Sequence, residues 1–211
     1  MTRFMARFAT LTMALLFAAI AGYHYTGIAS GQASGDGWIT LFDGKNLDQW
    51  QGEAGNNATW RIEDGSIAVD KKDKDPKAIV SLISKQSFAD FELRAEFWVS
   101  DDANSGIYIR CTDPDKANSK TAYEVNIFDT RPDPSFGTGA IVEVAKAATV
   151  LKAGGKWNTY EIVAKGPKFT VTLNGVKTVD GAQDSRFPMG RIALQYGQGT
   201  VKFRKVQIKP L

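Results

Sequence analysis

Histidine and cysteine are almost absent from this 211-residue chain, with His24 and Cys111 as the single instances. A domain without histidine beyond its first residues excludes Ser-His-Asp and Cys-His catalysis, and it has no imidazole for a zinc site. One cysteine also excludes an intramolecular disulfide. Any acid–base chemistry therefore falls to carboxylates, lysines, tyrosines or Cys111 itself.

A strong charge of either sign is also missing. The formal net charge is +3. Beyond the first 35 residues, the chain carries 24 basic and 23 acidic side chains, a net charge of +1. Binding to nucleic acid requires a concentrated basic surface. The composition therefore gives no electrostatic reason to expect a nucleic-acid partner.

The first 35 residues differ from the rest of the chain. They contain Arg3 and Arg7, no acidic residue, an apolar run over 8–21, and small residues at the end. This order is typical of a secretory signal, and the apolar run is short for a membrane-spanning helix. We expect residues 1–35 to be a signal peptide or an uncleaved N-terminal anchor, which would be the chain's only attachment to a membrane. Residues 36–211 are then one secreted domain.

Most of this domain alternates apolar and polar residues with a period of two. In FELRAEFWV (91–99) every odd-numbered residue is apolar, while the even-numbered ones are Glu, Arg, Glu and Trp. Such alternation predicts half-buried strands. Only 143–153 is compatible with a helix, and it equally fits a loop followed by a strand. Many short antiparallel strands with few or no helices predict an all-β sandwich of the jelly-roll type. The predicted strands are 91–99, 106–111, 123–129, 159–164, 168–173, 191–196 and 201–208.

Several outward positions of these strands carry groups that suit a sugar. Aromatic rings stack on sugar C–H faces, and carboxylate, amide and guanidinium groups hydrogen-bond to hydroxyls. An ordinary polar sheet exterior has a similar composition, and Arg110 with Glu124 equally fits a plain cross-strand ion pair. If their strands are neighbours, one face holds Trp98, Tyr108, Arg110, Glu124, Asn126 and Gln195.

The stretch YEVNIFD (123–129) contains a second indication of chemistry. Its Glu124-x-Asn126-x-x-Asp129 spacing is similar to the E-x-D-x-x-E strand of laminarinase-type glycosidases, which work with two carboxylates. Asp129 rejoins the face of Glu124 only if a bulge intervenes. No set of metal ligands is predicted, because the acidic loop 112–120 lacks the spacing of a calcium loop. A divalent cation on oxygen ligands stays open.

Ten segments, taken in order, resemble the 3-keto-disaccharide hydrolase family. Together they cover nearly all of residues 37–211, and their combination is specific although each one alone is weak. The resemblance implies a concanavalin A-like jelly roll, export to a bacterial periplasm, and a carbohydrate substrate of the 3-keto-glycoside type. Members often carry Gln where this chain has Asn126. The segments are GWITLFDGKNLDQW, WRIEDGSI, FADFELRAEFWVS, NSGIYIR, YEVNIFD, TGAI, WNTYEIVAKG, LNG, GRIALQ and VKFRKVQIKPL.

The resemblance also implies a reaction that needs no histidine. A ketone at C3 acidifies the proton at C2, so that a carboxylate, here Glu124, removes the proton and the C1 substituent leaves before water adds. Arg110 or a bound divalent cation would stabilise the enolate. Direct hydrolysis with Asp129 as the partner of Glu124 is the competing mechanism, and a non-catalytic carbohydrate-binding module is the alternative function. The expected substrate contacts are Trp98, Asn104, Ser105, Tyr108, Asn126 and Gln195.

Overall fold

The computed structural model describes residues 35–55, 58–71 and 79–211. The predicted signal or anchor therefore lies outside the described residues, apart from Gly35. Within the described part, no helix is long and apolar enough to cross a membrane. The strands are β1 (Ile39–Phe42), β2 (Trp50–Gly52), β3 (Ala58–Glu63), β4 (Ser66–Lys71), β5 (Val80–Phe88), β6 (Phe91–Val99), β7 (Asn104–Cys111), β8 (Tyr123–Ile127), β9 (Trp157–Lys165), β10 (Lys168–Leu173), β11 (Val176–Gln183), β12 (Gly190–Gln198) and β13 (Val201–Pro210).

The strands form two antiparallel sheets that pack face to face. The eight-stranded sheet has the order β11-β10-β9-β6-β13-β4-β3, with β1 also paired to β13. The five-stranded sheet has the order β2-β5-β12-β7-β8. Hairpin pairs such as β9-β10-β11 alternate with neighbours distant in sequence, such as β6 beside β13 and β7 beside β12, as in a jelly roll. The prediction of an all-β jelly-roll sandwich is confirmed.

Alternation along each strand builds the core between the sheets. On β6 the five odd-numbered residues from Phe91 to Val99 are buried in the core, and the even-numbered ones face outward. Aromatic pairs join the two layers: the Tyr123 and Phe169 ring centroids are 4.6 Å apart. Segment 143–153 contains no helix. The only helical element in the described ranges is a short 3-10 turn at Pro134–Phe136.

A β-bulge near the end of β7 changes which side its last residues face. On β12, Ala193 pairs with Tyr108 and Arg191 pairs with Cys111, so β7 contains one extra residue between these two pairs. Arg110 has a positive φ of 53°, a conformation that absorbs the extra residue. Gly190 fits opposite because a Cβ there would lie 2.4 Å from the Arg110 carbonyl carbon. The bulge turns Arg110 toward the core side and Cys111 toward the outer side.

Candidate functional site

Strands β5, β12, β7 and β8 bring polar side chains together on the outer face of the five-stranded sheet. One cross-strand row places Ala193 opposite Tyr108 and Tyr108 opposite Glu124. The next row places Gln195 and Asn126 on either side of Gly106. Residues two apart along a strand share a face, so the two rows form one surface. We call it the carboxylate face, and it consists of Ser81, Ile83, Gly106, Tyr108, Glu124, Asn126, Ala193 and Gln195.

Glu124 lies at the centre of a compact hydrogen-bond network. Gln195 Nε2 donates to Glu124 Oε1 at 3.0 Å and to the Tyr108 hydroxyl oxygen at 2.7 Å. Tyr108 lies directly opposite Glu124 on the neighbouring strand, and its hydroxyl lowers the pKa of the Glu124 carboxyl. Tyr108 and Gln195 are buried, whereas Glu124 is half-buried. A ligand on this face would therefore meet Glu124. Tyr108 and Gln195 are only 2% and 1% exposed, so the prediction that they contact substrate is wrong, and they instead hold the orientation of Glu124 from behind.

Gly106 provides the space that the Glu124 side chain occupies. A Cβ at position 106 would lie 3.2 Å from Glu124 Cγ and 3.3 Å from Glu124 Oε1. It would also lie 3.1 Å from the Val125 carbonyl oxygen, a backbone atom that cannot move aside easily. An alanine at this position would require the Glu124 side chain or the neighbouring backbone to shift by a few tenths of an ångström.

The surroundings of Glu124 favour its neutral form. Burial raises the pKa of Glu124, and the hydrogen bonds from Gln195 and Tyr108, together with the charge of Arg131, oppose that rise only in part. Burial and the charge of Glu124 also raise the pKa of Tyr108, so its hydroxyl keeps its proton at neutral pH. A carboxylate with a raised pKa beside a neutral donor is the arrangement expected of a general base.

Two charged residues near this face were not predicted from the sequence. Arg131 is the cation whose charge most lowers the pKa of Glu124. Glu53 follows β2, its backbone N–H donates to the Ser81 carbonyl oxygen at 2.9 Å, and its charge contributes to the raised pKa of Tyr108. Burial raises the pKa of Glu53 as well. Both residues lie in loops just after strands, where alternation carries no information; their positions beside YEVNIFD and WQG were the only available signal.

Arg110 does not lie on the carboxylate face, so that prediction is wrong. Its guanidinium is buried and donates to the carbonyl oxygens of Ala89 and Gly166, each at 2.8 Å. It also pairs with the Asp90 carboxylate at 2.9 Å. The β7 bulge causes this placement, because it moves Arg110 out of alternation with Tyr108. Arg110 therefore joins turns at one end of the sandwich.

Trp98 is also absent from the carboxylate face. It lies on β6 in the eight-stranded sheet, directly paired with Trp157 on β9. It does point outward, as the alternation predicts, but from the opposite side of the sandwich to Glu124. The prediction that Trp98 contacts the same ligand as Glu124 is therefore wrong.

The remaining predicted contacts are divided between the two sides of their strands. Ser105 faces the core, where its hydroxyl donates to the Gln195 carbonyl oxygen at 2.7 Å, so the prediction of a substrate contact is wrong. Asn126 is on the carboxylate face but fully buried, with Nδ2 donating to the Phe136 carbonyl oxygen at 2.7 Å. Burial leaves it no surface for a substrate. Asn104 is half-buried and alternates onto the same face as Gly106 and Tyr108, where its contact with substrate stays a prediction.

Asp129 holds a loop in place, and does not stand beside Glu124. One of its carboxylate oxygens accepts from the Thr138 hydroxyl at 2.5 Å, and the other accepts from the backbone N–H groups of Ala153 and Gly154 at 2.8 and 2.9 Å. Lys152 Nζ donates to its main-chain carbonyl oxygen. Both oxygens are thus occupied by protein donors. The prediction of Asp129 as the catalytic partner of Glu124 is wrong, because the expected bulge lies in β7 and β8 ends at Ile127 before Asp129.

Oxygen ligands for a cation are few on this face. In the described ranges, no three His, Cys, Asp or Glu side chains gather closely enough to hold a metal ion. Gln195 Oε1 is buried and has no hydrogen-bond partner among the described residues. A divalent cation here would have that amide oxygen and the Glu124 carboxylate as protein ligands, both of the kind that magnesium and calcium prefer.

Comparison with known proteins gives one family and several relatives. Residues 37–209 match the family described as "3-keto-alpha-glucoside-1,2-lyase-like domain". A 3-keto-disaccharide hydrolase from Bacteroides thetaiotaomicron is 30% identical over 155 residues, which are 61% of this chain and 52% of that protein. The chain thus spans about half the length of this curated relative.

Solved structures support the fold. A candidate glycosyl hydrolase from Parabacteroides distasonis superposes with a TM-score of 0.71 at 21% identity, covering 83% of this chain and 95% of that one. A family 66 carbohydrate-binding module from Bacillus subtilis superposes with a TM-score of 0.57 at 19% identity, covering 82% and 95%. At such identities the likeness establishes the shared jelly roll and leaves the activity to be argued from the site.

Proposed function

The chain belongs to the family of 3-keto-alpha-glucoside-1,2-lyase-like domains, and we propose that it cleaves 3-keto-glycosides or 3-keto-disaccharides at C1. The observation that carries this proposal is Glu124, a half-buried carboxylate whose pKa is raised by burial and which two neutral groups hold in place. The name of the relative from Bacteroides thetaiotaomicron supports the same substrate class.

The reaction begins with proton transfer to Glu124. The carboxylate accepts the C2 proton of the substrate, and the electron pair of the C–H bond forms an enolate with the C3 carbonyl. The charge of Arg131, which acts on Glu124, would also favour the negative enolate oxygen. Arg131 thereby takes the role that the sequence assigned to Arg110.

Elimination then breaks the glycosidic bond. The enolate electrons return to re-form the C3 ketone, a C1=C2 double bond forms, and the C1 substituent leaves with the bonding pair and takes up a proton. Addition of water to C1=C2 places a hydroxyl at C1 and a proton at C2, which completes a net hydrolysis. Every step uses one base and a proton source, so histidine is not required.

Direct hydrolysis is the competing mechanism and requires a second carboxylate. Asp129 is held by its loop contacts. Glu143, whose charge raises the pKa of Glu124, and Glu53, whose charge raises the pKa of Tyr108, are then the acidic residues to test in this role. Cleavage in D₂O separates the two mechanisms. Elimination and hydration place solvent deuterium at C2 of the released 3-keto-sugar, whereas direct hydrolysis leaves the C2 proton in place. Incubation of the substrate and of the product without enzyme corrects for spontaneous exchange.

The test of the function is release of a 3-keto-sugar by the full chain, with and without EDTA. Turnover supports the enzyme, and loss of turnover with EDTA supports a divalent cation on the carboxylate face. Absence of turnover on several 3-keto-glycosides, together with measurable oligosaccharide binding that survives Glu124→Gln, would instead establish a carbohydrate-binding module. We also propose export directed by residues 1–35; deletion of this segment should leave the protein in the cytoplasm in cell fractionation.

A further inference from the structure

The outer face of the eight-stranded sheet contains a groove that the proposed reaction does not use. A single cross-strand row runs over β9, β6, β13, β4 and β3. Five adjacent strands span about 19 Å at the usual strand spacing. We call this row, with Thr200 and Glu63 beside it, the tryptophan groove; the row consists of Trp157, Trp98, Lys202, Ala68 and Arg61.

Two hollows lie along this row and share a border. The first has a volume of about 270 Å³ and is lined by Trp98, Trp157, Thr200 and Lys202. The second has a volume of about 350 Å³; its lining again includes Thr200 and Lys202 and extends to Arg61 and Tyr196. The short side chain of Ala68 lies between the longer Lys202 and Arg61. The two hollows therefore adjoin at Thr200 and Lys202; the first contains the pair of indole rings, and the second extends to Tyr196, near the end of β12 in the other sheet.

The tryptophans at this end are not accounted for by core packing. Both lie on the outward side of their strands, and 37% of Trp157 is exposed. The Arg204 guanidinium lies over one face of the Trp157 ring, 3.8 Å from its centroid, so a sugar would contact the exposed part of the ring that Arg204 leaves uncovered. A large apolar ring at a polar surface is a typical contact for the C–H face of a sugar.

The charges along the groove favour a neutral ligand. Glu63 pairs with Arg61 at 2.7 Å and with Lys202 at 3.3 Å, and Glu96 pairs with Arg204 at 2.6 Å. Each of these cations is engaged with a carboxylate, and guanidinium and ammonium groups are hydrogen-bond donors of the kind that sugar hydroxyls accept. Hydroxyl-rich chains without charge match this pattern.

We propose that the tryptophan groove binds a neutral oligosaccharide, on the opposite side of the sandwich from Glu124. The sugar rings would stack on Trp157 and Trp98, and the chain would run toward Arg61 with hydroxyls on Lys202 and Thr200. Such a site would keep the protein on a glycan without taking part in bond cleavage. It stands whether or not the proposed reaction is correct, because it shares no residue with the carboxylate face.

The test is calorimetric titration of the full chain with unoxidised cello-, laminari- and malto-oligosaccharides. Trp157→Ala and Trp98→Ala should each weaken binding roughly 2- to 10-fold, the range for one aromatic contact. Trp157→Tyr keeps a ring and should retain most of the affinity. Thr200→Arg fills the shared border of the hollows without removing a packed group, and it should weaken binding as well.

Val176→Ala is the matched control, since Val176 is an exposed apolar residue, 41% accessible, on the edge strand β11 of the same sheet. It should leave affinity unchanged, and thermal melting of every variant checks folding. Absence of binding to all three glycans, or binding unaffected by both tryptophan variants and by Thr200→Arg, overturns the proposal. Glycan binding that is lost in Glu124→Gln but kept in Trp157→Ala would also overturn it. The same holds for a change of oligomeric state in Trp157→Ala without any loss of glycan binding.

Discussion

The pKa values of the acidic residues on the carboxylate face and in the tryptophan groove are shifted in opposite directions. Glu124 is partnered by the neutral Gln195 and Tyr108, and burial raises its pKa. Glu63, in the groove, receives hydrogen bonds from Arg61 and Lys202 that lower its pKa. The environment of Glu124 on the five-stranded sheet thus favours the protonated form of the carboxyl group. The environment of Glu63 on the eight-stranded sheet favours the anion. The partners supplied by neighbouring strands, and not the strand pattern itself, decide whether the pKa of a carboxyl group is raised or lowered.

Replacement of the proposed base tests this difference most strongly. Glu124→Gln keeps the shape of the side chain but removes its ability to accept a proton. Turnover of 3-keto-glycosides should fall by about 10²- to 10⁴-fold, the usual contribution of a general base, as measured by release of the 3-keto-sugar. Glu63→Gln is the matched control and should leave turnover nearly unchanged. Equal losses in both variants would contradict the contrast between the two faces.

Replacement of Arg110 tests whether this cation contributes to stability or to turnover. Arg110→Met removes the donors of two carbonyl groups, which should cost about 1–3 kcal/mol of unfolding free energy in urea, while the Asp90 carboxylate, 38% exposed, is rehydrated. The remaining folded protein should keep its turnover number. Arg94→Met, at an exposed pair with Glu161, should change stability by less than about 1 kcal/mol. A normal melting curve for Arg110→Met with lost turnover would return Arg110 to the catalytic site.

Gly106→Ala tests whether the position of the Glu124 side chain matters. The new methyl group would lie within 3.3 Å of the carboxylate and should displace it, lowering kcat roughly 10-fold, since small misplacements of a catalytic group are costly. In the same sheet, Gly52→Ala would bring its Cβ only to 3.8 Å from Trp60 and should be tolerated. If the two variants have the same kcat, the close contact at Gly106 has no functional meaning.

The pH dependence of stability gives the smallest effects, and they should have opposite signs on the two faces. Because the folded pKa of Glu124 is raised, its contribution is present below about pH 4.3 and is lost as pH rises through the folded pKa. Glu124→Gln should therefore gain stability relative to wild type toward neutral pH. Burial would raise the pKa of Glu96, but hydrogen bonds from Lys205 and Arg204 lower it overall.

The contribution of Glu96 is therefore present above about pH 4.3 and is lost as pH falls through the folded pKa. Glu96→Gln should lower the melting temperature at pH 7 and converge with wild type in acid. Melting curves from pH 3 to 8 for both variants measure this contrast. Shifts of the same sign for the two variants would show that their environments do not differ in the way described.

The sequence was sufficient for the fold and for the side of the strand on which three residues of the carboxylate face lie. Period-two alternation identified β6 with its correct bounds, and it placed Tyr108, Glu124 and Gln195 on outward positions that the sheet order then brought together. Alternation assigns a residue to one side of its own strand but does not say which sheet the strand joins. Trp98 was therefore grouped with Glu124 although the two lie on opposite sides of the molecule.

Two further errors have local causes. The extra residue of the β7 bulge reversed the sides of Arg110 and Cys111, and neither flanking residue signals a bulge. Glu53 and Arg131 were missed because they lie in loops, whose approach to the sheet depends on tertiary contacts. Ser105 and Asn104 are adjacent on one strand and necessarily face opposite sides, so both could not have been substrate contacts.

The same bulge places Cys111 where it can serve as a built-in reporter of loop opening. The thiol is buried and donates to the Asp113 carbonyl oxygen at 3.2 Å, and burial raises its pKa. It packs with Ala117 and Ala122 of the loop that follows β7. Since the chain contains no other cysteine, the rate of labelling by a thiol reagent would measure how often this loop lifts from the sheet, without any engineered residue. That loop packs beside Tyr108, which is paired with Glu124, so its motion would be recorded close to the Glu124 carboxylate.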